Sequence, residues 1–117
     1  MSVVDPIVTS ERVSPPSAEI ELSIPADLDY LRGHFPGVPV VAGVVQIKWA
    51  LELARSRLGV VGELAGIEQL KFHKVMTPGA AVTLVLEYRA DGGSLRFSFG
   101  SGETRYSSGS LRLRAPP

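Results

Sequence analysis

The chain has no cysteine among its 117 residues. That absence removes disulfides, thiol nucleophiles and thiolate metal sites together. Histidine is almost as scarce, with only His34 and His73. A zinc site would need several carboxylates beside them, and no stretch of the sequence clusters any. No metal and no cofactor is expected. Neither sign of charge is in excess, since 12 Lys and Arg face 12 Asp and Glu. A chain without a charge excess has no overall field to draw it to nucleic acid or an anionic membrane. It also has little self-repulsion to oppose association. The longest mostly apolar stretch, Val38 to Ala54, is interrupted by Gln46, Lys48 and Glu52. It falls short of the roughly 20 residues that cross a bilayer. The start, Met1-Ser2-Val3-Val4-Asp5-Pro6, lacks the basic head and apolar run of a secretion signal. A cytoplasmic protein is expected, with no nucleic acid and no membrane among its partners.

What is present suits a compact fold. The hydrophobic share is 44%, enough for an ordinary core and too high for a disordered chain. The length argues for one domain over 1–117, with an edge-strand or loop region at 1–17 and a loose tail at 115–117. Pro6 to Val13 reads as a short strand bounded by Pro6, Pro15 and Pro16. Proline cannot donate to a ladder, so this strand belongs at an edge. Ala18 to Ile24 alternates, with Ile20, Leu22 and Ile24 on one face and Glu19, Glu21 and Ser23 on the other. Pro25 stops it. Asp27 to Leu31 predicts one short helical turn with Asp27 as its cap.

Gly33 to Gly43 is dense in Gly and Pro, which predicts a shaped loop. Val44 to Leu58 then reads as the one long helix, apolar nearly all the way round and therefore buried on most sides. Its exception is a polar stripe of Lys48, Glu52 and Arg55. Gly59 ends it. From Glu63 the pattern turns to strands. Leu64 to Val75 is one, bent at Gly66; Ala81 to Arg89 is another, after a Pro78-Gly79 turn. Asp91-Gly92-Gly93 predicts a hairpin. Leu95, Phe97 and Phe99 alternate with polar residues, Gly100 to Gly102 turns again, and Glu103 to Arg114 makes the last strand. The fold class is α+β: one long buried helix wrapped by a curved antiparallel sheet. Such a sheet leaves an edge strand open, and pairing that edge with a second chain predicts a dimer.

The segment Gly33-His34-Phe35-Pro36-Gly37-Val38-Pro39-Val40-Val41-Ala42-Gly43-Val44-Val45-Gln46-Ile47 resembles the active-site stretch of hotdog-fold 3-hydroxyacyl-acyl-carrier-protein dehydratases of the FabZ/FabA type. Leu64-Ala65-Gly66-Ile67, Lys71-Phe72 and Pro78-Gly79 resemble the strand-and-turn block after the central helix of that family. Ile24 to Leu28, Val44 to Ile47 and Trp49-Ala50 look most like its branch linked to aryl-polyene pigments. The likeness covers about residues 18 to 114.

The resemblance implies the hotdog fold and removal of water from a 3-hydroxyacyl thioester, delivered on an acyl carrier protein, to give a trans-2-enoyl product. It maps the catalytic base to His34, an imidazole able to accept a proton near neutral pH. It maps the donor to the thioester oxyanion to the backbone N–H of Gly43, where free donors and the helix dipole meet. Phe35, Pro36, Gly37 and Val44 are the expected substrate-binding neighbours. The sites of the family lie between two chains, which implies a homodimer or a heterodimer with a related hotdog chain.

Two positions depart from the family pattern. Ala42 stands where a proline commonly precedes the helix glycine, losing some rigidity at the helix entry. Lys48 stands where the family has its Glu or Asp, 14 positions after His34. Three readings of Lys48 are open. It serves as a proton donor in the site, its charge keeping His34 neutral. It is structural, pairing with Glu52 one turn on, and the usual activity is lost. Or the chain works beside a related one whose carboxylate faces His34. Glu52 is a poor replacement acid, since it lies a full turn, roughly 5–6 Å, along the helix. The alternatives to a dehydratase are a non-catalytic acyl-binding or heterodimer subunit and a hotdog acyl thioesterase; the latter also wants a carboxylate base. Other residues have plainer expectations. His73 is a surface or edge histidine, Trp49 is core, and Phe97 and Phe99 form the packed face of the sheet. Arg32, Arg55, Arg57, Lys71 and Lys74 are a candidate basic rim for an acidic carrier protein.

Overall fold

The computed structural model describes residues 5–25 and 41–114. The segment 26–40 lies outside the described residues, and with it the predicted Asp27 turn, His34, Phe35, Pro36 and Gly37. The elements run β1 (Ile7–Ser14), β2 (Ser17–Ser23), α1 (Gly43–Leu58), β3 (Glu63–Phe72), β4 (Ala81–Arg89), β5 (Ser94–Ser101) and β6 (Thr104–Arg114). The six strands form one sheet in the order β1-β2-β4-β5-β6-β3, with every neighbouring pair antiparallel. β1 and β3 are its edges.

Alternation decides which side chains meet α1. Ile20, Leu22, Val82, Leu84, Leu86, Leu95, Phe99 and Leu111 are almost fully buried on the inner face, while Glu19, Val85, Arg96 and Arg112 between them are exposed. A fully buried side chain of this kind contributes about 1.5–3 kcal/mol. The Phe97 and Phe99 rings meet edge to face, with centroids 6.0 Å apart. One inner row crosses five strands through register partners: Ile20, Leu84, Phe99, Ser107 and Phe72. Ser107 is its only polar member.

α1 forms because residues 44–58 hold neither Gly nor Pro and are rich in Leu, Ala and long charged side chains. It starts one residue earlier than the apolar pattern suggests, at Gly43, and stops where Gly59 takes a left-handed conformation, φ 65°. Arg55 and Arg57 lie in its last turn, where cations suit the helix dipole. Val45, Gln46, Ile47, Trp49, Ala50 and Ala54 are its buried residues. Lys48, Glu52 and Arg55 form the exposed stripe that their spacing predicts.

The inner face is covered unevenly. α1 packs mainly over β2 and β4, and of the inward residues of β3 Phe72 meets its first residue, Gly43. Leu64, Ile67, Leu70 and Phe72 are 38–52% exposed. β3 is also the irregular strand. Its register to β6 shifts between Leu64 and Gly66, at the expected bend, and again between Glu68 and Lys71, where Gln69 takes φ 54°. It ends at Phe72 and does not continue to Val75. The N–H groups of His73 and Lys74 instead converge on the carbonyl of Tyr106, at 2.8 and 3.4 Å.

Both stems of the 26–40 segment end on the connection between β3 and β4. Ile24 N–H donates to the Ala80 carbonyl at 3.0 Å, and Gly79 N–H donates to the Ile24 carbonyl at 2.7 Å. On the other side Val41 N–H donates to the Met76 carbonyl at 2.8 Å. No helix among the described residues is long and apolar enough to cross a membrane.

Candidate active site

The head of α1 is chemically open. Ala42, extended at φ −62° and ψ 149°, offers no side-chain cap, and no acidic residue sits in the first turn. Val45 and Gln46 N–H both donate to the Ala42 carbonyl, at 3.1 and 3.2 Å. The N–H groups of Gly43 and Val44 precede the first intrahelical bond, at the positive end of the dipole, and have no backbone partner among the described residues.

A cavity of about 320 Å³ lies at this helix head, lined by Val41, Ala42, Gly43, Gln46, Phe72, His73, Lys74, Val75 and Met76. A Cβ on Gly43 would overlap the ring of Phe72, a half-exposed side chain, unless that ring moved aside. Among the described residues no carboxylate lines the cavity. A larger open groove, about 520 Å³, lies on the outward side of the sheet over Ser98 and Ser108. Lys71 of the candidate basic rim lines it, and of the expected catalytic and substrate-binding residues that are described none does.

The structure distributes the expected site residues as follows. Gly43 lines the cavity. Val44 is 72% exposed and is not one of the cavity walls. His34, Phe35, Pro36 and Gly37 lie outside the described residues, but the segment carrying them enters the helix through Val41, a cavity residue. Lys48 is on the exposed stripe of α1, and its Nζ contacts Glu52 Oε1 at 2.8 Å. The two side chains are about half exposed. Trp49 is core, 1% exposed, and His73 is exposed at the end of β3.

The basic rim is smaller than its sequence suggests. Arg57 makes a two-pronged contact with Glu11 on β1, at 3.1 and 3.0 Å. Hydrogen bonding from Arg57, and then its charge, hold the Glu11 carboxyl below the usual carboxylate range. Arg55 donates to the Gly62 carbonyl at 2.8 Å. Both guanidinium groups are occupied by the fold itself. Lys74 lines the cavity, and Arg32 lies outside the described residues.

Sequence reading missed a buried polar pair. Gln46 and Ser107 are 3% and 0% exposed. The Ser107 hydroxyl donates to Gln46 Oε1 at 2.6 Å, and Gln46 Nε2 donates to the Val41 carbonyl at 3.0 Å. One signal was available. Gln46 falls on the side of α1 opposite the Lys48, Glu52 and Arg55 stripe, where a polar residue needs a buried partner. Phe72, the residue that shapes the helix head, carried no comparable signal.

One helix laid on a six-stranded antiparallel sheet among the described residues, with its uncapped glycine end facing a cavity, is the hotdog arrangement. A protein-family model described as ApeI-like, ApeI dehydratase, matches residues 10–110, and the chain belongs to that family. A solved relative, the dehydratase heterocomplex ApeI:P from Xenorhabdus doucetiae, superposes with a TM-score of 0.84 at 29% identity, covering 93% of this chain and 97% of that one. An uncharacterized protein from Erwinia carotovora superposes at 0.82 with 30% identity, covering 94% and 96%. Among curated relatives, a 3-hydroxyacyl-[acyl-carrier-protein] dehydratase FabZ from Erythrobacter litoralis is 37% identical over 70 residues, 51% of this chain and 46% of the relative. The FabZ of Levilactobacillus brevis is 32% identical over 85 residues, 64% and 57%. The chain thus spans about half the length of the curated relatives it matches.

Proposed function

We propose that this chain is a 3-hydroxyacyl-thioester dehydratase subunit that works in the cytoplasm on substrates carried by an acyl carrier protein. The observation that carries the reading is the uncapped head of α1 at Gly43, opening into a cavity at the root of the His34 segment. His34 takes the proton from C2 of the acyl chain. Electrons move toward the thioester carbonyl, whose oxygen gains negative charge and is met by the Gly43 N–H. The C2–C3 double bond forms as the C3–O bond breaks, and hydroxide leaves as water with a proton from a general acid. Phe35, Pro36, Gly37 and Val44 are the substrate-binding neighbours that the family resemblance maps, Val44 being exposed and outside the cavity wall.

The general acid comes from a second chain. Lys48 occupies the family's carboxylate position and is engaged with Glu52, which favours its structural role over proton donation. The partly exposed inner side of β3 offers the place for a related hotdog chain, whose own carboxylate then faces His34. The description of the Xenorhabdus doucetiae relative as a heterocomplex supports this arrangement. The Lys48–Glu52 pair also favours a second reading, a subunit that binds acyl groups without turning them over.

The test is to incubate a 3-hydroxyacyl carrier protein with the chain alone, then with a carboxylate-bearing dehydratase chain, and to follow enoyl product and free acid. Enoyl product only in the mixture, abolished by His34→Ala in this chain, supports the catalytic subunit. Product that survives His34→Ala supports the acyl-binding reading, and free acid supports a thioesterase. Lys48→Glu is expected to raise the activity of the chain alone by about tenfold or more, the usual worth of a positioned acid being about 10²–10⁴. Lys48→Glu protein that binds substrate and stays inert would show a pocket changed beyond that position.

A further inference from the structure

We propose that Gln46 and Ser107 are positioning residues for the dehydration step, fixing the head of α1 and the root of the His34 segment against β6. This rests on the dehydratase reading above. Ser107 is the polar member of the row Ile20, Leu84, Phe99, Ser107 and Phe72. It holds Gln46 Oε1 at 2.6 Å, and Gln46 Nε2 holds the Val41 carbonyl at 3.0 Å. The N–H of the same Val41 is held by Met76 at 2.8 Å. Both peptide groups flanking Val41 are therefore tied down, one to β6 through the helix and one to the β3–β4 connection.

The placement gives this tie its consequence. Val41 lies seven residues after His34 and two before Gly43. It is the described residue through which the proposed base and the proposed oxyanion donor are joined. Phe72, the register partner of Ser107, presses its ring on Gly43. The first turn is thus held from two adjacent points of the sheet, one polar and one apolar. Burying an amide and a hydroxyl gains little over apolar side chains of the same shape. Apolar side chains would fill the space but could not hold the Val41 carbonyl. Proton transfer and oxyanion stabilisation depend on distances of a few tenths of an ångström, and a misplacement of about 1 Å costs about 10²-fold in rate.

The test uses Gln46→Met, which keeps volume and drops both hydrogen bonds, Ser107→Ala, which drops one, and Ser107→Thr, which restores the hydroxyl. Each is assayed for kcat and KM in the mixture that gives enoyl product, with thermal midpoint and amide exchange at Val41, Val45 and Gln46 measured alongside. The expected result for Gln46→Met and Ser107→Ala is a kcat lowered about tenfold or more with KM within about twofold. Amide exchange is faster at the helix head, and Ser107→Thr returns both values toward wild type. If either loss variant fails to fold, the other carries the comparison. Loosened amides with an unchanged kcat would overturn the positioning role and leave a purely structural pair. Unchanged exchange would overturn the holding role itself. A wild-type mixture that makes no enoyl product overturns the dehydratase reading, and the exchange data still decide whether the pair holds Val41.

Discussion

β1 and β3 are the two open sides of one sheet, and each is fastened to one end of α1 by different chemistry. β1 reaches the last turn of the helix through the ion pair of Glu11 with Arg57. β3 reaches the first turn through the Phe72 ring on Gly43. Both edges carry charges and break register, β1 once and β3 twice, but only β1 is flanked by prolines, Pro6, Pro15 and Pro16, which blunt an edge against pairing. β3 is ten residues long and turns Leu64, Ile67, Leu70 and Phe72 into a partly exposed face. Val75, which lines the same cavity as Phe72, is also exposed, and exposed apolar side chains grouped in this way mark an interaction surface. The β1 edge is tied to α1 within the chain, and the β3 edge presents exposed apolar side chains.

The strongest way to break this contrast is a matched pair of charges. Ile67 and Val13 are apolar edge residues of similar exposure, 42% and 39%. Ile67→Glu is expected to weaken association by about 100-fold or more, because an unpaired buried charge costs about 3–5 kcal/mol. Val13→Glu is expected to leave it unmoved. Sedimentation over a concentration series reads both. An effect confined to Val13→Glu would assign the interface to the other edge.

The next largest effect concerns the helix head. Gly43→Ala places a methyl group on the half-exposed Phe72 ring and is expected to cost about 1 kcal/mol of stability, the low end of the overpacking range. Denaturant unfolding measures it. Phe72→Ala in the same background should recover most of that loss, giving a coupling of about 1 kcal/mol. Additive effects of the two substitutions would mean the ring is not fixed by the glycine.

The smallest effect belongs to the β1 fastening. Glu11→Gln is expected to shift the thermal midpoint only slightly at neutral pH, and less at high salt. Arg57 lowers the carboxyl of Glu11 in the folded chain. The pair therefore contributes fully above the ordinary carboxylate value of 4.5, and the contribution is lost as pH falls through the lowered one. Wild-type and Glu11→Gln stabilities should converge in acid. A gap that persists there would show that the charge of Glu11 is not what joins β1 to α1.

Much of the architecture could be read from residue patterns because its signals are local. Leu95, Phe97 and Phe99 alternate between two glycine turns, and Val82, Leu84 and Leu86 do the same, so β4 and β5 declare themselves. Lys48 and Glu52 are one turn apart, and their contact follows from helix spacing alone. The second irregularity of β3 was not readable: Gln69 takes a positive φ without being the Gly or Asn that usually announces it. Nor was the end of β3 at Phe72, beyond which the His73 and Lys74 N–H groups share the one Tyr106 carbonyl. The tie between Gln46 and Ser107 spans 61 residues, and no periodicity reports a contact of that separation. The site is therefore half local and half a product of folding: Gly43 was named by its neighbours in the chain, and its supports Phe72 and Ser107 by the sheet.

The stems at Ile24 and Val41 both rest on the bend around Thr77-Pro78-Gly79. A substitution that displaces this bend therefore shifts both roots of the 26–40 segment at once, so a change more than 30 residues from the head of α1 in sequence reaches its approach from two sides.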